Sequence, residues 1–454
     1  MNMERMDWRV VLTFATSSML LQQAFSYVCQ IVMPFLADRL AEEFGISRAW
    51  LGMYLFIQNI AAIAAAMGCG ALIVRLGPLR ISQYCLLLMG GSLFVIATGV
   101  LWLYPLAAIL LGAASVSTPA SSHILARFCP PRLAPLIFSV KQTGVPVGAL
   151  IGGLLIPALL GLGIYSATLG NSVHLDAFGT AFVCGLLVYS IAVILQPLRA
   201  HFDSDRKPDT KFSFSGAVQT MRIVVSDAKL RDLAMLSFTL GGLQAIWSGF
   251  FILFLIDRLD YTEVEAGTAF AIASFTAVGA RILWGWLGST IVSPRLVLGV
   301  LCILATISAA LTGFYDVGWS LNGLIAVAIV YNISSLSWHG VLLAETARLA
   351  PEGQVGGITG GVLAFTSVAM MIYPAVYGGL LAATDSYGIG FIFGAVPALF
   401  CAFVFFNPPF EGSWLGEILR GFGWVLHPTR LVVLLILSVI SMAGAAILVF
   451  QRLV

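Results

Sequence analysis

The sequence predicts an all-α membrane protein whose helices form two halves of six. Three observations support this prediction. Of the 454 residues, 59% are hydrophobic and 10% are charged, whereas a soluble domain carries about 25% charged residues. Apolar stretches of roughly 20 residues, the length that crosses a bilayer as a helix, recur along the chain. One long polar segment, 198–229, divides twelve of these stretches into six and six.

The apolar stretches place twelve membrane spans along the chain. Their predicted bounds are 9–36, 49–73, 81–101, 103–127, 135–160, 176–197, 230–257, 264–288, 295–314, 319–344, 356–383 and 387–406. A further apolar run at 431–450 is a candidate thirteenth helix. The first stretch, from Val10 to Leu36, is longer than the ~7–15-residue apolar core of a cleaved signal peptide, so we expect it to remain as the first membrane anchor.

These spans divide the chain into four parts. We expect residues 1–197 to form an N-terminal six-helix half, 198–229 a linker, 230–406 a C-terminal six-helix half and 407–454 an extension with the candidate thirteenth helix. The seven cysteines are scattered singly, which provides neither a disulfide framework nor a CxxC metal pair. The sequence therefore predicts no cofactor and no metal site.

The distribution of charge predicts how the spans are oriented. Basic residues concentrate in alternate loops, at Arg5, Arg9, Arg75, Arg80, Arg127, Arg132, Arg199, Arg206, Lys207, Lys211, Arg295 and Arg348. The other loops are poor in basic residues or acidic, and in the 37–48 loop the arginines are balanced by acidic residues. The positive-inside rule then predicts a multi-pass protein of the cell (inner) membrane with a cytoplasmic N-terminus and linker. A net charge of +2 is too small to indicate a nucleic-acid partner.

The connection between spans two and three carries a motif of glycine and basic residues. Gly70, Leu72, Arg75, Gly77 and Arg80 fit the pattern G-x-L-x-D-R-x-G-x-R/K-R/K. The loop therefore resembles the signature of the major facilitator superfamily. This resemblance implies a transporter bundle of two six-helix halves related by an axis along the membrane normal, with alternating access of the cargo site to the two sides.

One position departs from that signature. Val74 stands where the pattern has an acidic residue, and the corresponding loop after span eight has Ser289 and Thr290 at this step. In the superfamily the carboxylate belongs to a cytoplasmic charge relay that holds one conformational state. The resemblance therefore does not extend to this relay.

Span five carries a second motif. Gly144, Pro146 and Gly148, followed by Gly152 and Gly153, resemble the glycine-proline motif of the superfamily's fifth helix, with looser spacing. Small residues four apart allow close helix approach, and a proline bends a helix. We expect both motifs to act in gating. The sequences KQTG at 141–144 and WHG at 338–340 are similar to a poorly characterised bacterial branch of the superfamily.

Two cationic side chains lie inside predicted spans without a carboxylate at similar depth. Lys141 lies in span five, about 9 Å from its start at 1.5 Å per residue. Arg281 lies in span eight, about one turn inside its end. Ionisable residues within membrane spans are costly and commonly functional. An unpaired positive charge favours an anionic cargo.

Polar side chains recur at helical spacing on spans one, four, seven and ten, which the resemblance places around a central cavity. Ser115 and Ser122 belong to the stripe on span four. The residues that we expect to contact a small-molecule cargo are Gln23, Tyr27, Gln30, Thr118, Lys141, Gln142, Gln244, Trp247, Arg281, Asn332, Ser335 and His339. The sequence does not indicate an oligomeric state.

Each of these residues also has a structural interpretation. Hydroxyl side chains often bond a carbonyl of their own helix, and buried tryptophans often only pack. Arg281 could snorkel to the interface, or bond carbonyls at loop or helix ends, as the resemblance also implies. Glu345, at the end of span ten, could pair with Lys141 or Arg281 and neutralise it.

The sequence leaves three functions open. The leading hypothesis is a secondary transporter of a small organic anion such as a carboxylate, by antiport or with proton coupling through His123 or His339. The second is an exporter of hydrophobic or neutral compounds that uses aromatic residues such as Tyr27 and Trp247. The third is a non-transporting sensor or assembly partner, which the 407–454 extension suggests. No catalytic motif of an enzyme and no Walker-type phosphate loop occurs in the sequence.

Overall fold

The computed structural model describes residues 7–47, 50–161, 163–166, 171–210, 214–316 and 318–406. Twelve candidate membrane spans occur in these residues, each long and apolar enough to cross a bilayer. The predicted all-α membrane fold is therefore confirmed. The candidate thirteenth helix and the whole 407–454 extension lie outside the described residues.

The α-helices and β-strands follow one another along the chain. The first half contains α1 (Trp8–Phe44), α2 (Trp50–Leu76), α3 (Pro78–Ala97), α4 (Tyr104–Ala113), α5 (Ser117–Phe128), α6 (Ala134–Gln142), α7 (Gly144–Gly161), β1 (Gly163–Ser166), β2 (Asn171–His174) and α8 (Ala177–Ile194). The linker contains α9 (Arg199–Phe202) and α10 (Phe214–Ser226). The second half contains α11 (Ala228–Leu259), α12 (Glu263–Thr290), α13 (Pro294–Gly313), α14 (Leu321–Ser335), α15 (His339–Leu349), α16 (Val355–Thr384) and α17 (Tyr387–Phe406).

A small β-hairpin connects α7 to α8, and the sequence analysis did not anticipate it. Its two four-residue strands are antiparallel, with Gly163 opposite His174 and Ser166 opposite Asn171. Strands this short leave too brief an alternation of apolar and polar residues to be recognised in a loop. The hairpin marks one end of the bundle, which we call the hairpin face. The opposite end carries the segment that joins the two halves, and we call it the linker face.

Three spans are broken near their middle or toward the linker face. Span four divides into α4 and α5, span five into α6 and α7, and span ten into α14 and α15. Proline explains the first two breaks, because Pro119 and Pro146 have no N–H for the carbonyl four residues earlier. Span ten is interrupted at 336–338, just after Ser334 and Ser335, whose hydroxyls bond carbonyls of their own helix. The breaks leave carbonyl groups available for other donors.

The two halves meet at the linker face. There α6 packs against α12 and α15, α5 packs against α16, and α2 packs against α16. The hairpin-side parts of the broken spans, α4, α7 and α14, make their substantial contacts within their own half. The described helices therefore close the space between the halves at the linker face and leave them apart toward the hairpin face.

Glycine allows the closest of these contacts. A Cβ on Gly340 of α15 would lie 2.7 Å from the amide nitrogen of Ser139 in α6, and one on Gly285 of α12 would lie 2.7 Å from the carbonyl oxygen of Pro135. Both distances are shorter than real Cβ contacts. The absence of a side chain at these two positions lets α6 fit between α12 and α15.

Candidate functional site

Lys141 lies at the centre of the closed end of the bundle. Its side chain is 1% exposed, near the end of α6. The ammonium Nζ donates to Gln23 Oε1 of α1 at 2.6 Å, and Thr118 Oγ1 of α5 donates to the same oxygen at 3.3 Å. Spans one, four and five of the first half therefore meet around this cation.

Arg281 lies beside this group but belongs to the second half. It is 4% exposed in α12. Its Nη1 donates to the carbonyl oxygen of Gln142 at 2.5 Å, and its Nη2 donates to the carbonyl oxygen of Leu336 at 2.8 Å. These bonds correspond to the helix-end interpretation of Arg281. Because Gln142 is in the first half, the guanidinium also bridges the two halves.

The breaks in spans five and ten explain why both carbonyls are available. In a continuous helix, the Gln142 carbonyl would accept from the amide of residue 146, but Pro146 has no amide hydrogen. Leu336 lies in the interruption between α14 and α15. Buried carbonyls require partners. The guanidinium, with five donors in a planar fork, can serve two of them at once.

No carboxylate neutralises these two cations among the residues that the structure describes. The ion pairs found there all involve other basic residues. Glu345, the candidate partner, instead binds Arg348 through two short bonds, 2.7 Å from Nε and 2.6 Å from Nη2. The pairing of Glu345 with Lys141 or Arg281 is therefore wrong for this state.

Several polar atoms near the two cations have no hydrogen-bond partner in the described part of the chain. They are Arg281 Nε, Gln142 Oε1 and His339 Nδ1. The His339 ring is half-buried and stacks on Trp338, with the ring centroids 3.8 Å apart. A buried polar group without a partner costs roughly 1–3 kcal/mol, so such groups indicate a ligand or water. Two of these three atoms are nitrogens, and a nitrogen that carries hydrogen can donate to an anion.

Three other predicted contact residues are half-buried. Tyr27 and Gln30 lie on α1, on the hairpin side of Gln23. Gln244 lies on α11, and its Oε1 has no partner among the residues that the structure describes. These side chains can face a cargo that approaches from the hairpin face.

Three of the predicted contact residues are engaged within the second half. Asn332 Nδ2 donates to the Ala328 carbonyl at 2.9 Å, and Ser335 Oγ donates to the Tyr331 carbonyl at 2.7 Å, so both bond their own helix. Trp247 is fully buried in a stack with Phe251, at 3.8 Å between ring centroids, and with Tyr331 at 5.0 Å. In this state, their geometry follows the structural interpretation.

The predicted gating residues are divided between two interfaces. Gly70 of α2 faces Gly357 of α16, and a Cβ on Gly70 would lie 2.9 Å from the Gly357 Cα. Gly144 faces α1, where a Cβ would lie 2.7 Å from the Leu20 carbonyl oxygen. Gly148 also faces α1, at Tyr27. Arg75 is exposed, Arg80 and Pro146 are half-buried, and Gly77 adopts φ 100°, a conformation that favours glycine.

Sequence reasoning missed the carboxylate that serves the loop around Gly77. Asp203 Oδ1 accepts from the Leu79 amide at 2.7 Å and Oδ2 accepts from the Arg80 amide at 3.1 Å, so Asp203 caps the start of α3. Burial raises the pKa of Asp203, while the two amide hydrogen bonds act in the opposite direction. The loop thus obtains a carboxylate from the segment after span six, although Val74 occupies the position of the motif's acid. The sequence did contain a signal for this contact. Asp203 is an acidic residue that follows shortly after span six, on the same face of the bundle as the basic loop.

The comparisons with known proteins agree on the family. The sequence model of the Major Facilitator Superfamily matches residues 18–345. The probable nitrate/nitrite transporter NarK2 of Mycobacterium tuberculosis is 30% identical over 162 residues, which are 35% of this chain and only 40% of NarK2. The 4-hydroxybenzoate transporter PcaK of Pseudomonas putida is 24% identical over 460 residues, 93% of this chain and 88% of PcaK.

Solved structures show the same fold. The human organic anion transporter MFSD10 (TETRAN) superposes with a TM-score of 0.68 and 16% identity, over 88% of this chain and 100% of that one. The E. coli fucose:proton symporter FucP superposes with a TM-score of 0.67 and 17% identity, over 88% and 98%. At these identities the structures establish the architecture and carry no information on cargo.

Proposed function

We propose that this chain, which belongs to the Major Facilitator Superfamily, moves a small organic anion across the membrane by alternating access. Its family makes it a multi-pass membrane transporter rather than an enzyme. One observation carries the choice of an anion: Lys141 is buried at the closed end of the bundle beside Gln23, and no described carboxylate lies within ion-pair distance.

The arrangement favours an anion on electrostatic grounds. Burying an uncompensated charge is costly, and an opposite charge from the cargo offsets that cost. Charge-assisted hydrogen bonds to an ammonium are about twice as strong as neutral ones. Lys141 supplies the charge in this proposal, while Tyr27, Gln23 and His339 orient the anion through polar contacts. The free Nε of Arg281 is a further donor.

The names of the relatives support an anion without fixing which one. NarK2 is named for nitrate and nitrite, and PcaK for 4-hydroxybenzoate. These cargoes share a planar group with negatively charged oxygens. A carboxylate is preferred for this chain because the half-buried polar residues Tyr27, Gln30 and Gln244 extend beyond the two cations and can contact the rest of an organic molecule.

We further propose that the linker face is cytoplasmic, in the inner membrane of the cell. Arg75, Arg127, Arg132 and Arg206 lie on this face, and the positive-inside rule places such residues in the cytoplasm. The described state then has its cargo site closed to the cytoplasm. Cargo reaches Lys141 from the opposite side of the membrane in this state.

An exporter of hydrophobic compounds is the second candidate, and three buried aromatic residues argue against it. Trp247, Tyr331 and Trp338 are fully buried against neighbouring rings and helices in this state, so these three offer no aromatic surface to a cargo, whereas Tyr27 is half-buried. The sensor hypothesis depends on residues 407–454, which lie outside the described part of the chain. Because the chain belongs to a family of transporters, the sensor hypothesis is the least favoured of the three.

The proposal is tested by measuring the melting temperature of the purified protein against a panel of compounds. The panel contains nitrate, acetate, succinate, benzoate, 4-hydroxybenzoate and neutral hydrophobic drugs. A compound that binds only the folded state raises the melting temperature by mass action. The variant Lys141→Ala removes the proposed charge, and Lys229→Ala removes the same charge from an exposed position at the start of α11.

We expect a carboxylate to raise the melting temperature of the wild type and of Lys229→Ala but not of Lys141→Ala. At a ligand concentration 100 times Kd, the stabilisation is about 2.7 kcal/mol. Stabilisation by neutral drugs alone, equal in all three proteins, would contradict the anion and favour the exporter. Stabilisation by a carboxylate that survives Lys141→Ala would show that the anion binds elsewhere.

A further inference from the structure

We infer that Arg281 is a latch between the two halves, and that a cargo anion must replace its Gln142 acceptor before the linker face opens. This inference rests on the proposed anion transport and adds how the cargo releases the closed state. It follows from one guanidinium that bonds carbonyl groups at helix breaks in both halves.

The two bonds of Arg281 differ in what happens to them when the halves move. Leu336 lies in the same half as Arg281, so that bond can persist in both states. Gln142 is the last residue of α6 in the other half, and α6 faces α12 and α15 at the closed linker face. Opening this face separates α6 from α12. The bond to the Gln142 carbonyl is then lost.

The lost bond leaves two groups without partners. Arg281 keeps its charge with one acceptor fewer, and the Gln142 carbonyl has no intrahelical donor because of Pro146. A charged group that loses its hydrogen bond in a buried site is strongly destabilised. The empty transporter therefore resists opening at the linker face.

A bound anion removes this obstacle. Lys141 immediately precedes Gln142, so an anion on the Lys141 ammonium lies at the point where Arg281 would lose its acceptor. Its oxygens can then bind both cations. The loaded transporter can therefore open the linker face, whereas the empty one rests with this face closed and returns to that state after it releases the cargo.

The chain provides a control on the same helix. Trp284, one turn after Arg281 on α12, donates its Nε1 to the Ile333 carbonyl at 2.8 Å. This bond also joins α12 to span ten, but it lies entirely within the second half. Trp284→Phe removes a hydrogen bond to a carbonyl near a helix end without touching the contact between the halves.

The first experiment measures the opening of the linker face without any ligand. Spin labels are placed at Arg132→Cys and Glu352→Cys, exposed positions on the linker face of the first and second half, while the seven native cysteines are buried. We expect one short distance for the wild type in anion-free buffer. Arg281→Gln should raise the population with the longer distance about tenfold or more, the effect of one hydrogen bond to a charged group. Trp284→Phe should match the wild type.

Pro146→Ala provides a second test of the latch if Arg281→Gln fails to fold. It leaves the Arg281 charge in place but offers the Gln142 carbonyl an amide hydrogen, which competes with the guanidinium. We expect a smaller rise of the longer distance in this variant, about twofold to fivefold, since the carbonyl has a second lone pair. If Arg281→Gln and Pro146→Ala both keep the wild-type distance, the latch is refuted.

The second experiment repeats the distance measurement with 4-hydroxybenzoate added. The population of the wild type with the longer distance should rise about tenfold or more, whereas Lys141→Ala should keep the short distance. An equal rise in Lys141→Ala would refute the placement of the anion at Lys141. If the wild type keeps the short distance while Arg281→Gln opens the linker face without any anion, the latch is supported and its release by this aromatic carboxylate is refuted.

Discussion

Two sets of glycine contacts in this protein look alike and have opposite roles. Within the first half, Gly148 lets α7 approach α1 so closely that a Cβ would overlap the Ala24 carbonyl oxygen. Between the halves, Gly340 lets α15 approach α6 so closely that a Cβ would overlap Ser139. The first contact lies inside one half, whereas the second joins the two halves and, under the proposed alternating access, exists only while the linker face is closed.

Close approach of two helices therefore does not by itself show that their contact is permanent. Small residues permit close packing of membrane helices in either case. A contact within a half must survive both states of the transport cycle, so its loss destabilises the fold. A contact between halves contributes to the balance between two states, so its loss shifts that balance.

The largest effect on stability is expected from Gly148→Ala. The new methyl group meets the backbone of Ala24, which cannot move aside as a flexible side chain could. Overpacking of this kind costs about 1–3 kcal/mol. The melting temperature should fall, with no change in the distance between labels at Arg132→Cys and Glu352→Cys.

A matched variant on the same helix separates packing from helix propensity. Gly153 has nothing within 4 Å of its would-be Cβ, so Gly153→Ala should be neutral or stabilising, by up to about 1 kcal/mol. If Gly148→Ala melts like Gly153→Ala, α1 and α7 are not held as tightly as the structure indicates.

Gly340→Ala should have a smaller effect on melting and a larger one on conformation. Its methyl group collides with α6, and the molecule can relieve that collision by opening the linker face instead of unfolding. The same overpacking cost of about 1–3 kcal/mol then corresponds to a shift of about fivefold to 150-fold toward the longer label distance. Gly279→Ala, on α12 with open space around it, is the control. A large fall in melting temperature at an unchanged distance would place Gly340 with the permanent contacts.

Much of this architecture was predictable from the sequence. Apolar runs predicted the twelve spans because a bilayer requires about 20 residues of such sequence in each. The burial of Lys141 and Arg281 followed from their positions within these runs. Pro146 implies a carbonyl without an intrahelical donor at Gln142, since this follows from covalent structure alone. The group that donates to this carbonyl, the guanidinium of Arg281, could not be predicted from the same rule.

The residues that meet across the bundle were not predictable in the same way. Asp203 accepts a hydrogen bond at the start of α3, although it lies in the segment after span six. The motif in the loop before α3 contains no such acid, because Val74 occupies the acidic position. Asn332 had two available partners, a cargo or its own helix, and the structure pairs it with Ala328. Sequence spacing does not distinguish such choices, because they depend on which helices become neighbours.

The smallest effect is expected from Asp205, whose contacts stay within the first half. Its carboxylate lies 2.9 Å from Arg127 Nη1 and 3.3 Å from His123 Nε2, and the hydrogen bond from His123, followed by the charge of Arg127, holds its pKa below the ordinary value. A depressed carboxyl pKa stabilises the fold above about pH 4, and this stabilisation is lost as the pH falls through the folded pKa. The Asp205 side chain is 34% exposed, so solvent screening limits the contribution to under about 1 kcal/mol.

Asp205→Asn should therefore lower the melting temperature slightly at pH 7, and its difference from the wild type should shrink as the pH falls through the folded pKa of Asp205. Asp209→Asn, at an exposed position in the same segment, should have no effect across the same pH range. The label distance should not change, because Asp205 joins the linker to α5 of its own half. If Asp205→Asn opens the linker face instead, then contacts within a half also govern the gate, and the distinction between permanent and transient contacts fails at this point of the molecule.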